Sequence, residues 1–194
     1  SPWGIGFPGW HIECSAMSHE LLGQPFDIHT GGVDHIPIHH NNEIAQSEAA
    51  YDLPLANYWL HNEFVKTSDD ALYKMSKSKG NTVTLATLKE RNISPLVYRY
   101  FLLMAHYRTP VNFTWEALEA AENAYNKIKK FVDSWPDGGK GDEVYKGKFI
   151  EKIENDLNTP QALAVLWTMV KDKTVSPEDK KATAKDFCNV FGLG

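Results

Sequence analysis

The sequence is short of cysteine, of bases over its first third, and of long apolar runs, and each shortage excludes something. Two cysteines, Cys14 and Cys188, in 194 residues cannot supply a disulfide framework and point to a reducing, cytoplasmic compartment. No apolar run approaches the roughly 20 residues a membrane span needs, and no charged-then-apolar leader opens the chain, so no membrane partner is expected. An excess of positive charge is also missing. Against 25 Asp+Glu there are 20 Lys+Arg, a net charge of −5 that argues against nucleic-acid binding by bulk charge. What remains, 42% hydrophobic and 23% charged, is the composition of a folded globular chain long enough to bury a core.

The charge is unevenly placed. Residues 1–70 hold 10 acids, a single base (Lys66) and seven of the eight histidines, whereas residues 71–194 hold 15 acids and 19 bases. An acidic, histidine-rich segment has the character of a cation site, and a mildly basic one suits a polyanion.

Pattern and punctuation divide the chain in the same way. A Pro/Gly-rich opening leads to a predicted helix from Trp10 to about Leu22 that stops at Gly23. Phe26–His29 reads as a short strand ending in a tight turn at Gly31-Gly32. A second helix is predicted over about 39–51 and a second strand over 58–65, an order that favours an α/β layer with parallel pairing. After Gly80 the pattern is helical. Ser94-Pro95 opens a helix to about Tyr107, and Thr114 caps a long one to about Trp135 with Leu118, Ala121, Tyr125, Ile128 and Val132 on one stripe. Residues 136–142 read as a flexible linker, and Thr159-Pro160 and Ser176-Pro177 signal two closing helices. The expected organisation is therefore an α/β piece over 1–85, a connector over 86–112 and a helical domain over 113–194.

Three groups of residues have chemistry to offer. Cys14 falls on the first predicted helix, and His39 and Glu43, four apart, share a face of the second. Thiolate, imidazole and carboxylate are all zinc ligands, although the same residues also suit a small buried side chain and a solvated helix pair. His40, about 100° further round an α-helix, is not expected to face an ion together with His39 and Glu43. Gly31-Gly32-Val33-Asp34 follows a strand, where glycine lets a ligand approach the backbone and a carboxylate can accept from ribose hydroxyls; a plain strand-to-helix turn would look alike. Lys74-Met75-Ser76-Lys77-Ser78-Lys79-Gly80 carries three ammonium groups in a small loop, suited to a polyphosphate or simply to solvent.

Lys74–Ser78 is the KMSKS signature of class I aminoacyl-tRNA synthetases. Gly9–Met17, Gly31–Asp34 and His39–Ser47 resemble the cysteinyl-tRNA synthetase family in particular, as do Tyr107–Asn112 and Asp156–Pro160, so the similarity runs over nearly the whole chain. The resemblance implies the second half of a class I Rossmann-type nucleotide-binding domain, followed by an α-helical bundle that meets tRNA. It also implies roles for individual residues. Cys14, His39 and Glu43 match three of the four ligands of the family's catalytic Zn²⁺, and Gly31, Gly32 and Asp34 match its nucleotide-binding turn. Trp10 and His29 match the lining of the amino-acid pocket, and Lys74 and Lys77 match the mobile lysines that act on ATP.

The implied activity is ATP- and Mg²⁺-dependent activation of L-cysteine followed by transfer to tRNA(Cys). Zinc would tell the substrate's sulfur from serine's oxygen, a difference an apolar pocket reads poorly. Because charge grows on the phosphates during the first step, Lys74 and Lys77 should act mainly in the transition state. Lys127, Lys129 and Lys130 could lie along tRNA phosphates. Two family features have no counterpart: no cysteine precedes Cys14, and no His-x-Gly-His occurs. The chain is therefore expected to be an internal fragment, inactive alone, whose partner is the missing N-terminal half of the same enzyme. The alternatives are the related cysteine ligase of mycothiol synthesis and a non-catalytic tRNA-binding module.

Overall fold

Helix α1 (His11–Leu22) ends where the sequence predicts: Gly23 takes φ 74° and its amide donates to the His19 carbonyl at 3.0 Å. The computed structural model to which it belongs describes residues 2, 4–6, 9–67 and 83–194. The expected basic loop with Lys74 and Lys77 lies outside the described residues. The chain forms two compact units, Ser1–Glu63 and Phe64–Gly194.

In the first unit, β1 (Phe26–Gly32) and β2 (Ala56–Asn62) pair in parallel from Phe26 opposite Ala56 to Gly32 opposite Asn62. The chain between them makes a 3₁₀ turn at Val33–His35, a π turn at Ile36–His40 and α2 (Asn41–Tyr51), which stops at Asp52 in the left-handed region, φ 55°. Phe26, Leu55 and Ala56, with Trp59 against them, form a small core under the strands. Gly31 and Gly32 close β1 instead of making the expected tight turn. At Gly31 a Cβ would stand 2.6 Å from Cε1 of His40 and 2.7 Å from Nδ1 of His35. The missing side chain makes room for two imidazoles; it does not serve a turn. The expected strand over 58–65 is likewise broken. It starts at Ala56 and ends at Asn62, and Val65–Lys66 form β3, which pairs with β4 (Val111–Asn112) in the second unit.

The second unit is helical: α3 (Leu85–Glu90), α4 (Pro95–Leu103), α5 (Trp115–Ser134), α6 (Glu143–Glu154), α7 (Thr159–Lys171) and α8 (Pro177–Phe191). Side-chain caps start most of them. Ser94 accepts from the Leu96 amide, Thr114 from Ala117 and Ser176 from Asp179, all as the sequence indicates. For α7 the cap is Asn158, one residue before the expected Thr159. Leu118, Ala121 and Ile128 of α5 are buried, with Tyr125 and Val132 packed alongside, so the predicted stripe faces the core. There it meets Val97, Tyr100 and Phe101 of α4, Leu163, Leu166 and Met169 of α7, and Phe187 and Phe191 of α8. Arg99 Nε donates to the Phe191 carbonyl at 2.5 Å, and the indole of Trp167 donates to Tyr100 Oη at 3.1 Å.

Three expectations for this unit change. Helix α4 ends at Leu103, not Tyr107, because Tyr107 and Arg108 turn to Asp156: Arg108 Nε lies 2.7 Å from Oδ2, and Tyr107 donates to Oδ1 at 2.6 Å. Residues 136–142 are tied down, with the amides of Lys140 and Gly141 donating to Asp179 Oδ1 and that of Asp142 to Thr183 Oγ1. Helices α3 and α6 have no counterpart in the sequence-based parse.

The Asp156 cluster gives this unit an acid dependence. Arg108 and Tyr107 hold the Asp156 carboxyl down to about 2, and Thr174 with Tyr145 holds Asp172 down to about 2. A depressed folded-state value means that the stabilisation is complete above the ordinary carboxylate range and is lost as pH falls through it towards about 2. Urea midpoints followed by far-UV circular dichroism should therefore fall between about pH 4 and pH 2. Asp156→Asn should flatten that slope; an unchanged slope would remove Asp156 from this account.

Candidate metal centre

Glu43 lies in the first turn of α2 and is 1% exposed. Its carboxylate is reached from three directions. His39, four residues back in the π turn, places Nε2 2.9 Å from Oε1, and His29 on β1 donates from Nε2 to Oε2 at 2.5 Å. From α1, Cys14 brings a sulfur whose separation from the nearest ligand atoms of His39 and Glu43 is within 4.8 Å. The three predicted ligands thus converge. Trp10 and His11 close the side nearest His39. The Trp10 ring stacks over His39 at 5.8 Å between centroids, and Nδ1 of His11 and Nδ1 of His39 share a hydrogen at 2.7 Å.

His40 shares no ligand group with His39. With His29 and Glu43 it forms a second group whose ligand atoms also lie within 4.8 Å of one another. The 100° offset presumes an α-helix, whereas Ile36–His40 make a π turn that buries both imidazoles. His40 Nδ1 is 2.7 Å from Nε2 of His61 on β2. The parallel register explains this contact, because Gly31, bare of a side chain, sits opposite His61 and leaves space for the His40 ring. Sequence reasoning missed His11, His40 and His61 as members of the cluster. The signal was the concentration of histidine itself, seven in the first 70 residues.

The electrostatics suit a cation. Burial, reinforced by the charge of Glu43, pushes the Cys14 thiol up. A bare thiol there keeps its proton, and a divalent ion would expel it. Burial also pushes the Glu43 carboxyl up, but the hydrogen bond from His29 and the neighbouring His29, His39 and His40 outweigh it and hold it below its usual value. Burial first, and His29 next, lower His40 to about 4, so that near neutral pH it is an uncharged imidazole, the form that binds metals. Glu43 Oε1 is buried and, although close to His39, makes no aligned hydrogen bond. A sulfur, an imidazole nitrogen and an oxygen with a free lone pair make a donor set that fits zinc.

The remaining predicted residues are placed as follows. Asp34 is exposed in the 3₁₀ turn just after β1, and Gly31 and Gly32 end that strand. Trp10 is 61% exposed beside the cluster, and His29 is one of its members. Lys127, Lys129 and Lys130 are exposed on α5. No helix among the described residues is long and apolar enough to cross a membrane.

Comparison with known proteins identifies the family. Residues 1–123 match the family described as tRNA synthetases class I (C) catalytic domain, and residues 148–193 match the DALR domain. Cysteine--tRNA ligase 1 of Burkholderia lata is 53% identical over 194 residues, covering 100% of this chain and 41% of that protein. The cysteine--tRNA ligase of Treponema denticola is 39% identical, covering 100% of this chain and 44% of that protein. The chain thus spans less than half the length of these relatives. Among solved structures, the ternary complex of Agrobacterium radiobacter K84 agnB2 LeuRS with tRNA and LeuAMS superimposes with a TM-score of 0.67 at 15% identity, covering 88% of this chain and 26% of that one. Mycobacterium tuberculosis methionyl-tRNA synthetase bound by methionyl-adenylate does so with 0.51 at 18% identity, covering 97% and 43%. These two likenesses are of fold. With the match running from residue 1 to residue 123, the chain belongs to the class I (C) tRNA synthetase family.

Proposed function

We propose that this chain is the cysteine-selecting part of a cysteine–tRNA ligase, which activates L-cysteine with ATP and Mg²⁺ and passes it to tRNA(Cys). The observation that carries the reading is the convergence of Cys14, His39 and Glu43, drawn from two helices and the π turn before the second, within 4.8 Å of one another. These residues would hold Zn²⁺. When bound, the ion would offer a position that takes a thiolate far better than a hydroxyl, which is the distinction between cysteine and serine.

The protein's own groups do the rest. His11, through its Nδ1 contact, orients His39. Trp10 walls the exposed side of the cluster with an aromatic face. Asp34, exposed just after β1, would accept hydrogen bonds from ribose hydroxyls beside Gly31 and Gly32, and His29 would border the amino-acid site. Lys74 and Lys77 neutralise charge developing on the ATP phosphates, and the exposed Lys127, Lys129 and Lys130 lie along the tRNA backbone.

The reading is tested on Co²⁺-substituted protein at the full length of its relatives. L-cysteine is expected to strengthen the thiolate-to-cobalt charge-transfer absorption, and L-serine at the same concentration is expected to leave it unchanged. An equal response to both, or none to cysteine, would overturn it.

A further inference from the structure

The unit Ser1–Glu63 contains no lysine and no arginine. Within it stands a carboxylate, Glu43, that is 1% exposed. A buried carboxylate needs a compensating positive charge or a full set of hydrogen bonds. Within the unit the positive charge available to it is that of imidazolium or of a metal ion, since residues 1–63 hold no other cationic side chain. His39 approaches one carboxylate oxygen, Oε1, and His29 the other, Oε2; Cys14 groups with His39, and His40 with His29. Glu43 is therefore the shared member of two ligand groups, each able to supply three donors.

The geometry points to a second divalent-cation site, His29–His40–Glu43, separate from the sulfur-bearing group and able to fill without Cys14. Two imidazoles and one carboxylate are a donor set for borderline ions such as Zn²⁺, Co²⁺, Fe²⁺ or Ni²⁺, and they leave positions open for water or a ligand. The outer contacts that orient such ligands are present. His40 Nδ1 meets His61 Nε2 at 2.7 Å, which leaves the other ring nitrogen of His40 for the ion. Gly31 keeps that nitrogen accessible, because a Cβ there would lie 2.9 Å from His40 Nε2. The His29 Nε2 proton now lies between the imidazole and Glu43; on binding, the cation replaces it and the proton leaves to solvent. This inference goes beyond the functional reading above and holds whether or not Cys14 binds metal.

Both are separated by a Co²⁺ titration of this chain, with bound metal measured by elemental analysis after gel filtration. Cys14→Ser is expected to keep one equivalent of cobalt, without a thiolate band, and to show hyperfine-shifted imidazole N–H resonances from two histidines. Adding His40→Asn to Cys14→Ser should weaken retention by about tenfold or more. Absence of cobalt on Cys14→Ser, shifted resonances from fewer than two histidines, or retention indifferent to His40→Asn each overturns the second site. Failure of the functional reading looks different: the unaltered chain would lack a thiolate band yet still hold the nitrogen- and oxygen-bound ion.

Discussion

Glu43→Gln is expected to weaken divalent-metal retention by about 100-fold or more, a larger loss than removal of an outer-shell partner brings. Glutamine keeps the volume, so the packing of α2 against α1 survives. It removes the charge, however, and replaces one oxygen by an amide nitrogen that donates instead of accepting. Each oxygen faces a different group: Oε1 stands 2.9 Å from His39 Nε2 and Oε2 accepts from His29. A single substitution therefore strikes both ligand groups. Competition with a chelator of known affinity reads the change, and Glu48→Gln, an exposed acid on the same helix, should leave the affinity as it was. Retention within a factor of about three of the unaltered chain would mean that Glu43 is a hydrogen-bond acceptor and not a ligand, since a lost ligand must cost more than the 10–100-fold of an outer contact.

Phe187→Ala should destabilise the helical unit by about 3–5 kcal/mol. The Phe187 ring is 2% exposed and stacks on Phe149 with centroids 4.0 Å apart and planes 10° from parallel, while Phe149 also meets Phe191 edge-on at 5.1 Å. Truncation deletes one end of a three-ring contact where α6 meets α8, leaving a face of Phe149 bare, and neighbours fixed by caps and by Tyr145 and Lys180 hydrogen bonds cannot close the gap. Val190→Ala, on the exposed side of α8, should stay within about 0.5 kcal/mol. Urea unfolding by circular dichroism reads both, and a loss below about 1 kcal/mol for Phe187→Ala would show that α6 and α8 can repack.

What the sequence discloses depends on how local the controlling physics is. Caps are local, so Ser94, Thr114 and Ser176 mark their helices correctly. The α5 stripe is local as well, since its period repeats over about four turns within one element. Helix α6 escapes because Gly147 interrupts it and charge dominates its surface; the clue was Asp142, whose side chain caps it, with Tyr145 and Phe149 four apart facing inward. The anchoring of residues 136–142 depends on Asp179 and Thr183, some 40 positions away, and no Gly-rich composition reveals that.

At the candidate metal centre the division is similar. The i, i+4 relation of His39 to Glu43 is legible from spacing, and Cys14 joins them by resemblance to a family. The second group, in which His40 joins His29 and Glu43, is not legible, because Ile36–His40 make a π turn, a backbone choice that spacing does not encode. Gly31 looks like a turn residue until the register of β1 and β2 places it opposite His61 with two imidazoles against it.

The absence of lysine and arginine from Ser1–Glu63 also limits how its folding can be followed. Trypsin cuts only after those residues, and the first susceptible bond in the chain follows Lys66. The histidine cluster and everything around it leave on one long peptide whether ordered or not, so survival of that peptide reports nothing about its conformation. A protease that cuts at aromatic or acidic residues, of which this stretch has many, is the reagent that would distinguish the two states.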